Sequence, residues 1–170
     1  MPGFSTRQLF SACVGLVLLS TGQWGFSADN QEPPDSALPG LEQATIHQEV
    51  SFKCKPDLLF NALIAANDFS SFTGYPAEIL AQEGGKFSLF GGQITGMNIE
   101  LQQRNIVQAW RVAAWPEGIY SMVRFTLQPD GDGATLVLDQ AGFPTGTGEH
   151  LQTGWHSMYW EGLTKFCESR

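Results

Sequence analysis

Residues 87–125, FSLFGGQITGMNIELQQRNIVQAWRVAAWPEGIYSMVRF, restrict what this chain can fold into more than any other stretch. Apolar and polar residues alternate through three runs, broken by glycine and proline turns. A period of two sends successive side chains to opposite faces of an extended backbone, so each run reads as a strand with one face for a core. Thr95, Met97, Ile99 and Leu101 share one face over 93–102. Over 106–114, Ile106, Gln108, Trp110 and Val112 lie opposite Val107, Ala109 and Arg111. Ile119, Ser121, Val123, Phe125 and Leu127 line up over 119–128. Trp115-Pro116-Glu117-Gly118 joins the last two runs, with proline presetting φ and glycine accepting a positive one.

The flanks complete an α+β pattern. Residues 41–53 alternate in the same way through Ile46, Gln48, Val50 and Phe52, giving a first strand. Lys55-Pro56-Asp57 opens a helix that runs to about Ala66; proline suits its first turn and Asp57 favours the positive end of its dipole. Residues 67–73 give a second short helix or turn, anchored by Phe69 and Phe72 and ended by Gly74-Tyr75-Pro76. Short strands at 77–82 and 86–90 precede the central run. A last strand at 134–140 follows the glycine-rich loop 129–133. Residues 149–168 form a long final helix with an aromatic stripe of Leu151, Trp155, Tyr159, Trp160, Leu163 and Phe166. At 170 residues, 42% of them hydrophobic, the chain can bury one good core. The expected architecture is a curved antiparallel sheet with two short helices and a long C-terminal helix across its concave face.

Residues 1–28 have a different composition. Arg7 is their sole charged side chain and precedes the apolar run 9–19, after which small and polar residues lead to Ala28. This layout predicts a secretory signal peptide at 1–28, a proline-rich linker at 29–40 and a domain at 41–168. The expected location is therefore periplasmic or extracellular. The apolar run is shorter than the roughly 20 residues of a membrane span, so membrane attachment is expected only if the leader stays uncleaved. Cys13 lies inside that run, ahead of where a lipid-acceptor cysteine would stand. The remaining chain carries 8 basic and 17 acidic residues, a formal charge of −9 that repels phosphate backbones. Nucleic acid is excluded as an expected partner.

Cys54 and Cys167 are the two cysteines of the expected mature chain. In an oxidising compartment such a pair suggests a disulfide; two buried free thiols are the alternative. Closing so long a loop would stabilise by roughly 4 kcal/mol in the chain-entropy model. Neither cysteine has the spacing of a zinc site or a redox CxxC motif.

Several motifs are family-specific: Phe90-Gly91-Gly92 with Ile94-Thr95-Gly96, the Trp110-Arg111 pair, Trp115-Pro116-Glu117-Gly118, and Gly154-Trp155 with Tyr159-Trp160-Glu161-Gly162-Leu163. Together they resemble the C-terminal domain of the activator of heat-shock protein 90 ATPase, within the START-like (SRPBCC) superfamily, over roughly 49–166. The resemblance implies a helix-grip (START-like, Bet v 1-like) fold. It also implies a co-chaperone-like module, since in the eukaryotic activators this domain is the second half of a two-domain protein. The first strand of that fold ends near the end of its last helix, which makes a Cys54–Cys167 bridge geometrically reasonable; a Cα separation above about 7 Å would rule it out.

No catalytic grouping accompanies these motifs. His47, His150 and His156 have no second histidine or cysteine at metal spacing, and no Ser/His/Asp arrangement is suggested. Glu100, Asp139 and Glu161 are scattered. A non-enzymatic domain is therefore expected, with no cofactor and no metal, and an enzyme on the same scaffold remains the weakest alternative. Its expected role is to bind a hydrophobic small molecule or a protein partner in the groove between sheet and last helix. The candidate ligand-binding residues are Gln108, Trp110, Trp115, Tyr120, Gln140, Trp155 and Tyr159. The competing reading of those aromatics is that they fill the sheet–helix core.

Overall fold

In the computed structural model, Gly40, Glu42 and residues 44–170 are described; the expected signal peptide and all but Gly40 of the expected linker lie outside the described residues. The strands are β1 (Ile46–Phe52), β2 (Ala77–Ile79), β3 (Lys86–Leu89), β4 (Ile94–Gln102), β5 (Asn105–Val112), β6 (Ser121–Asp130) and β7 (Gly133–Ala141). They form one antiparallel sheet in the order β1-β7-β6-β5-β4-β3-β2. Helices α1 (Pro56–Ile64) and α2 (Ala66–Thr73) connect β1 at one edge to β2 at the other. A continuous helix over 148–168 closes the chain, built of α3 (Gly148–Gly154), a π-helical stretch (Trp155–Trp160) and α4 (Glu161–Glu168).

Alternation along the strands decides which face the helices cover. Ile106, Gln108 and Trp110 of β5 are buried, as are Ser121, Val123, Phe125 and Leu127 of β6 and Ala134, Leu136, Leu138 and Gln140 of β7. Leu59, Leu63, Phe69 and Phe72 from the short helices join this core, with Leu151, Trp155, Tyr159, Leu163 and Phe166 from the last one. Burying such side chains stabilises by about 1.5–3 kcal/mol each for the aliphatic and phenylalanine residues, before the entropy of ordering is set against it. Cys54 sits between β1 and α1, and Cys167 lies in the last turn of α4. Their Cα atoms are 5.2 Å apart and the structure joins their sulfurs.

Two elements differ from the pattern read in the sequence. A β-bulge shifts the register between Asn98 and Glu100. Asn98, inward like Gly96, is fully buried while Met97 and Ile99 are exposed, and past the bulge Leu101 packs on the core, so Thr95, Met97, Ile99 and Leu101 are not one face. Gly96 pairs with Phe87 on one side and Trp110 on the other, and a Cβ there would collide with the Phe87 ring and the Ala109 carbonyl. Gly96→Ala is accordingly expected to cost about 2 kcal/mol, read as a lower urea midpoint at unchanged slope. The second difference is the π-helical stretch, in which the Glu161 N–H bonds back to the His156 carbonyl. Periodicity alone predicts a regular α-helix there.

Candidate functional site

A cavity of about 390 Å³ lies between the sheet and the final helix. Ile94, Trp110 and Val112 line its sheet side, and Leu151, Trp155, Met158 and Tyr159 its helix side. Phe90 and Tyr75 complete the aromatic wall, and Gln93 and the exposed His150 add polar side chains. The lining contains no lysine, arginine, aspartate or glutamate.

Local backbone choices build this wall. Phe90 has φ 54°, the sole positive φ outside glycine among the described residues, and the tight turn continues through Gly91 and Gly92. A bulky residue held in the left-handed region costs of order 1–3 kcal/mol, so its surroundings must hold it there. The Phe90 ring meets Phe69 at 5.4 Å and Tyr75 and Tyr159 at 5.6 Å, each edge-on. Trp155 stacks between Trp110 at 5.3 Å and Trp160 at 5.7 Å, with Phe125 edge-on at 5.7 Å. Such pairs add about 0.5–1.5 kcal/mol each beyond their buried area.

Buried polar groups around the cavity are tied together. Trp155 Nε1 donates to Gln140 Oε1 at 2.7 Å, Gln140 Nε2 donates to Ser121 Oγ at 2.9 Å, and Ser121 Oγ donates to the Trp110 carbonyl at 3.2 Å. Trp160 Nε1 donates to Gln48 Oε1 at 2.6 Å. Gln108 Nε2 donates to Asn98 Oδ1 at 2.9 Å, and Asn98 Nδ2 donates to the Leu80 carbonyl at 3.0 Å. Trp110 Nε1 is buried without a well-aligned partner, and the polar group it acts on is the Tyr159 hydroxyl. Burial pushes that hydroxyl well above its ordinary range, with the Trp110 N–H acting the other way. The hydroxyl therefore stays protonated and remains a donor.

The seven residues singled out from the sequence fall into three groups. Trp110, Trp155 and Tyr159 meet at the cavity. Gln108 and Gln140 are buried but engaged in the networks above, and Trp115 is buried against Trp110 at 6.0 Å without lining the cavity. Tyr120 lies elsewhere. It is 49% exposed and borders a hollow on the other sheet face beside Leu80, Met97 and Ala109, because it stands just outside β6 in the phase opposite Ser121. Phe90, Ile94, Leu151 and Met158 were not among the candidates. Phe90-Gly91-Gly92 stood out as a motif, but nothing in it indicates the positive φ that turns the ring inward.

His47 lies on β1 opposite Asp139, away from the cavity. Its ring contacts Asp139 Oδ1 at 2.7 Å and Glu49 Oε1 at 3.3 Å, and these carboxylates, Asp139 first, raise its pKa. A raised value means that the charged pair contributes fully below about pH 6.5 and fades as pH climbs through the folded-state value. An NMR titration of His47 is expected to show a midpoint above 6.5 that falls in Asp139→Asn; an unmoved midpoint would count against the pairing. Among the described residues, no three His, Cys, Asp or Glu side chains converge as a metal site.

A curved antiparallel sheet gripping one long helix over an aromatic cavity defines a START-like, helix-grip domain. The chain belongs to the family described as Activator of Hsp90 ATPase homolog 1-like protein, whose model matches residues 53–168. It is 35% identical over 113 residues to the Activator of 90 kDa heat shock protein ATPase homolog of Dictyostelium discoideum, covering 65% of this chain and 30% of that protein. It is 29% identical over 114 residues to Activator of 90 kDa heat shock protein ATPase homolog 1 of Homo sapiens, covering 66% and 34%. The chain thus spans about a third of the length of the curated relatives it matches. Among solved structures it resembles an HSP90 activator from Plasmodium falciparum, with TM-score 0.67, 27% identity, and coverage of 70% of this chain and 92% of that one. CalU16 from Micromonospora echinospora shares the fold, with TM-score 0.64 at 21% identity, covering 75% and 82%.

Proposed function

We propose that this chain is a non-enzymatic, exported START-like domain that binds a hydrophobic small molecule between its sheet and its final helix. The carrying observation is the cavity of about 390 Å³ walled by Phe90, Trp110, Trp155 and Tyr159. Its size falls within the range of small-molecule sites, and its mostly apolar lining with a few polar groups is typical of them. The lining has no charged pair and no nucleophile–base pair to serve chemistry. The leader composition supports export, and a Cys54–Cys167 bridge suits an oxidising compartment. Incubation with a panel of neutral apolar molecules is expected to raise the melting temperature for some of them and to quench tryptophan fluorescence. No shift across the panel would overturn the ligand reading.

Family membership favours a second reading, a co-chaperone-like module that contacts a chaperone, because the relatives are named as activators of the 90 kDa heat shock protein ATPase. Fractionation of the producing cell separates the two. Recovery outside the cytoplasm supports the exported domain, whereas recovery in the cytoplasm supports the chaperone module.

A further inference from the structure

The sheet leaves one long edge unpaired. β1 stands first in the strand order and pairs with β7 along its whole length, from Ile46 to Phe52. Among the described residues, no backbone group of 44–52 bonds to backbone outside the β1–β7 ladder. The opposite edge strand, β2, is only three residues long. An open row of donors and acceptors is a template for another strand, and proteins blunt such edges with proline, lysine or a bulge. Residues 44–52, ATIHQEVSF, contain no proline or lysine, and β1 keeps an unbroken register.

The sequence of this edge is complementary to its own reverse. Laid antiparallel to a second copy about Gln48, residues 44–52 set Ile46 against Val50, His47 against Glu49 and Thr45 against Ser51. Residues of like parity meet, so the core faces of the two copies stay on one side. The inner face gains β-branched neighbours, and the outer face gains an imidazole beside a carboxylate and a pair of hydroxyls. These are the kinds of cross-strand contact that stabilise antiparallel strands. Centring the pairing on Glu49 would instead set two carboxylates together, and centring it on His47 two imidazoles. Gln48 can occupy the axis because its side chain is turned to the final helix. There it accepts the Trp160 N–H at 2.6 Å and donates to the Gln152 carbonyl at 3.3 Å.

We infer that a second copy of this chain docks edge to edge on β1, antiparallel about a two-fold axis at Gln48, and joins the two sheets into one. Such a contact is isologous and closes with two copies. The chain after its expected leader carries a formal charge of −9, so two copies repel at long range and meet only where charges match locally. His47 and Glu49 supply that match; both are exposed, and His47 already holds Asp139 Oδ1 at 2.7 Å on the same face. Val50 is half-buried and packs against the core, and the second copy's Ile46 extends that packing. The contact lies outside the cavity lining and is independent of what the groove binds.

Sedimentation of the purified chain over a roughly hundredfold concentration range is expected to show monomer passing to dimer. Over the same range the amides of β1 should exchange more slowly as dimer forms, while those of β2 keep their rates. His47→Glu sets carboxylates against each other across the axis and is expected to weaken association about tenfold. Adding Glu49→Lys should restore it, because the opposite charges are exchanged and still meet. The exchange measurement uses unmutated protein and is independent of how the variants fold. A chain that stays monomeric throughout, a dimer whose β1 amides exchange as in the monomer, or a His47→Glu variant that associates as tightly as the parent overturns the inference.

Discussion

Replacing Trp155 with alanine is expected to lower the unfolding free energy by about 4 kcal/mol, read from urea denaturation. Trp155 is 2% exposed and meets four rings: it stacks on Trp110 and Trp160, meets Phe125 edge-on and lies 4.5 Å from Tyr159. Removing it opens a void that the sheet on one side and the helix on the other cannot collapse to fill. It also strands Gln140, whose Oε1 loses its donor. Gln140→Leu removes the polar link while keeping the volume, and a smaller cost of about 2 kcal/mol is expected. The two share one hydrogen bond, so the double variant should cost less than the sum of the singles. A Trp155→Ala protein as stable as the parent would show that the ring occupies a loosely packed site.

Loss of the link between Cys54 and Cys167 is the second large effect, with about 3–4 kcal/mol of stability expected to disappear in Cys167→Ser or under a thiol reductant. The two residues are 113 positions apart, so the link restricts nearly the whole domain in its unfolded state. Both cysteines are buried, and each serine would also place a hydroxyl among apolar neighbours. Peptide mass mapping without reduction should recover a cross-linked Cys54/Cys167 fragment from protein taken from its native compartment. If reductant leaves the melting temperature unchanged, the cysteines act as two inert apolar residues.

The strands were legible because buried residues alternate with less buried ones along most of β5 and β6 and their loops carry glycine, asparagine or proline. β4 was misread for a local reason. One bulged residue reverses the phase, and the polar Asn98 is drawn inward by a partner, Gln108, that belongs to another strand. Trp110, Trp155 and Tyr159 were recognisable as candidates because large aromatics on a core face must meet across the sheet–helix gap. Tyr120 lies away from the groove because it continues the outward phase of Met122, opposite the buried Ser121. The pairing of Trp155 and Trp160 with Gln140 and Gln48 had no signal in the sequence, since it depends on which of several glutamines reaches which indole.

The wide turn at Trp155–Trp160 also sets the angular phase of everything after it. Each α-helical residue advances the helix by about 100°, whereas the wider turn advances less per residue, so it absorbs one surplus residue and leaves α4 in phase. Tightening it to α-helical geometry at unchanged length would turn α4 by roughly one residue's angle, and Leu163, Phe166 and Cys167 would swing off the core. Gly162, which allows α4 to lie against the Phe72 carbonyl, would face the wrong way too. The wide turn thus keeps the two halves of one helix aimed at two different surfaces.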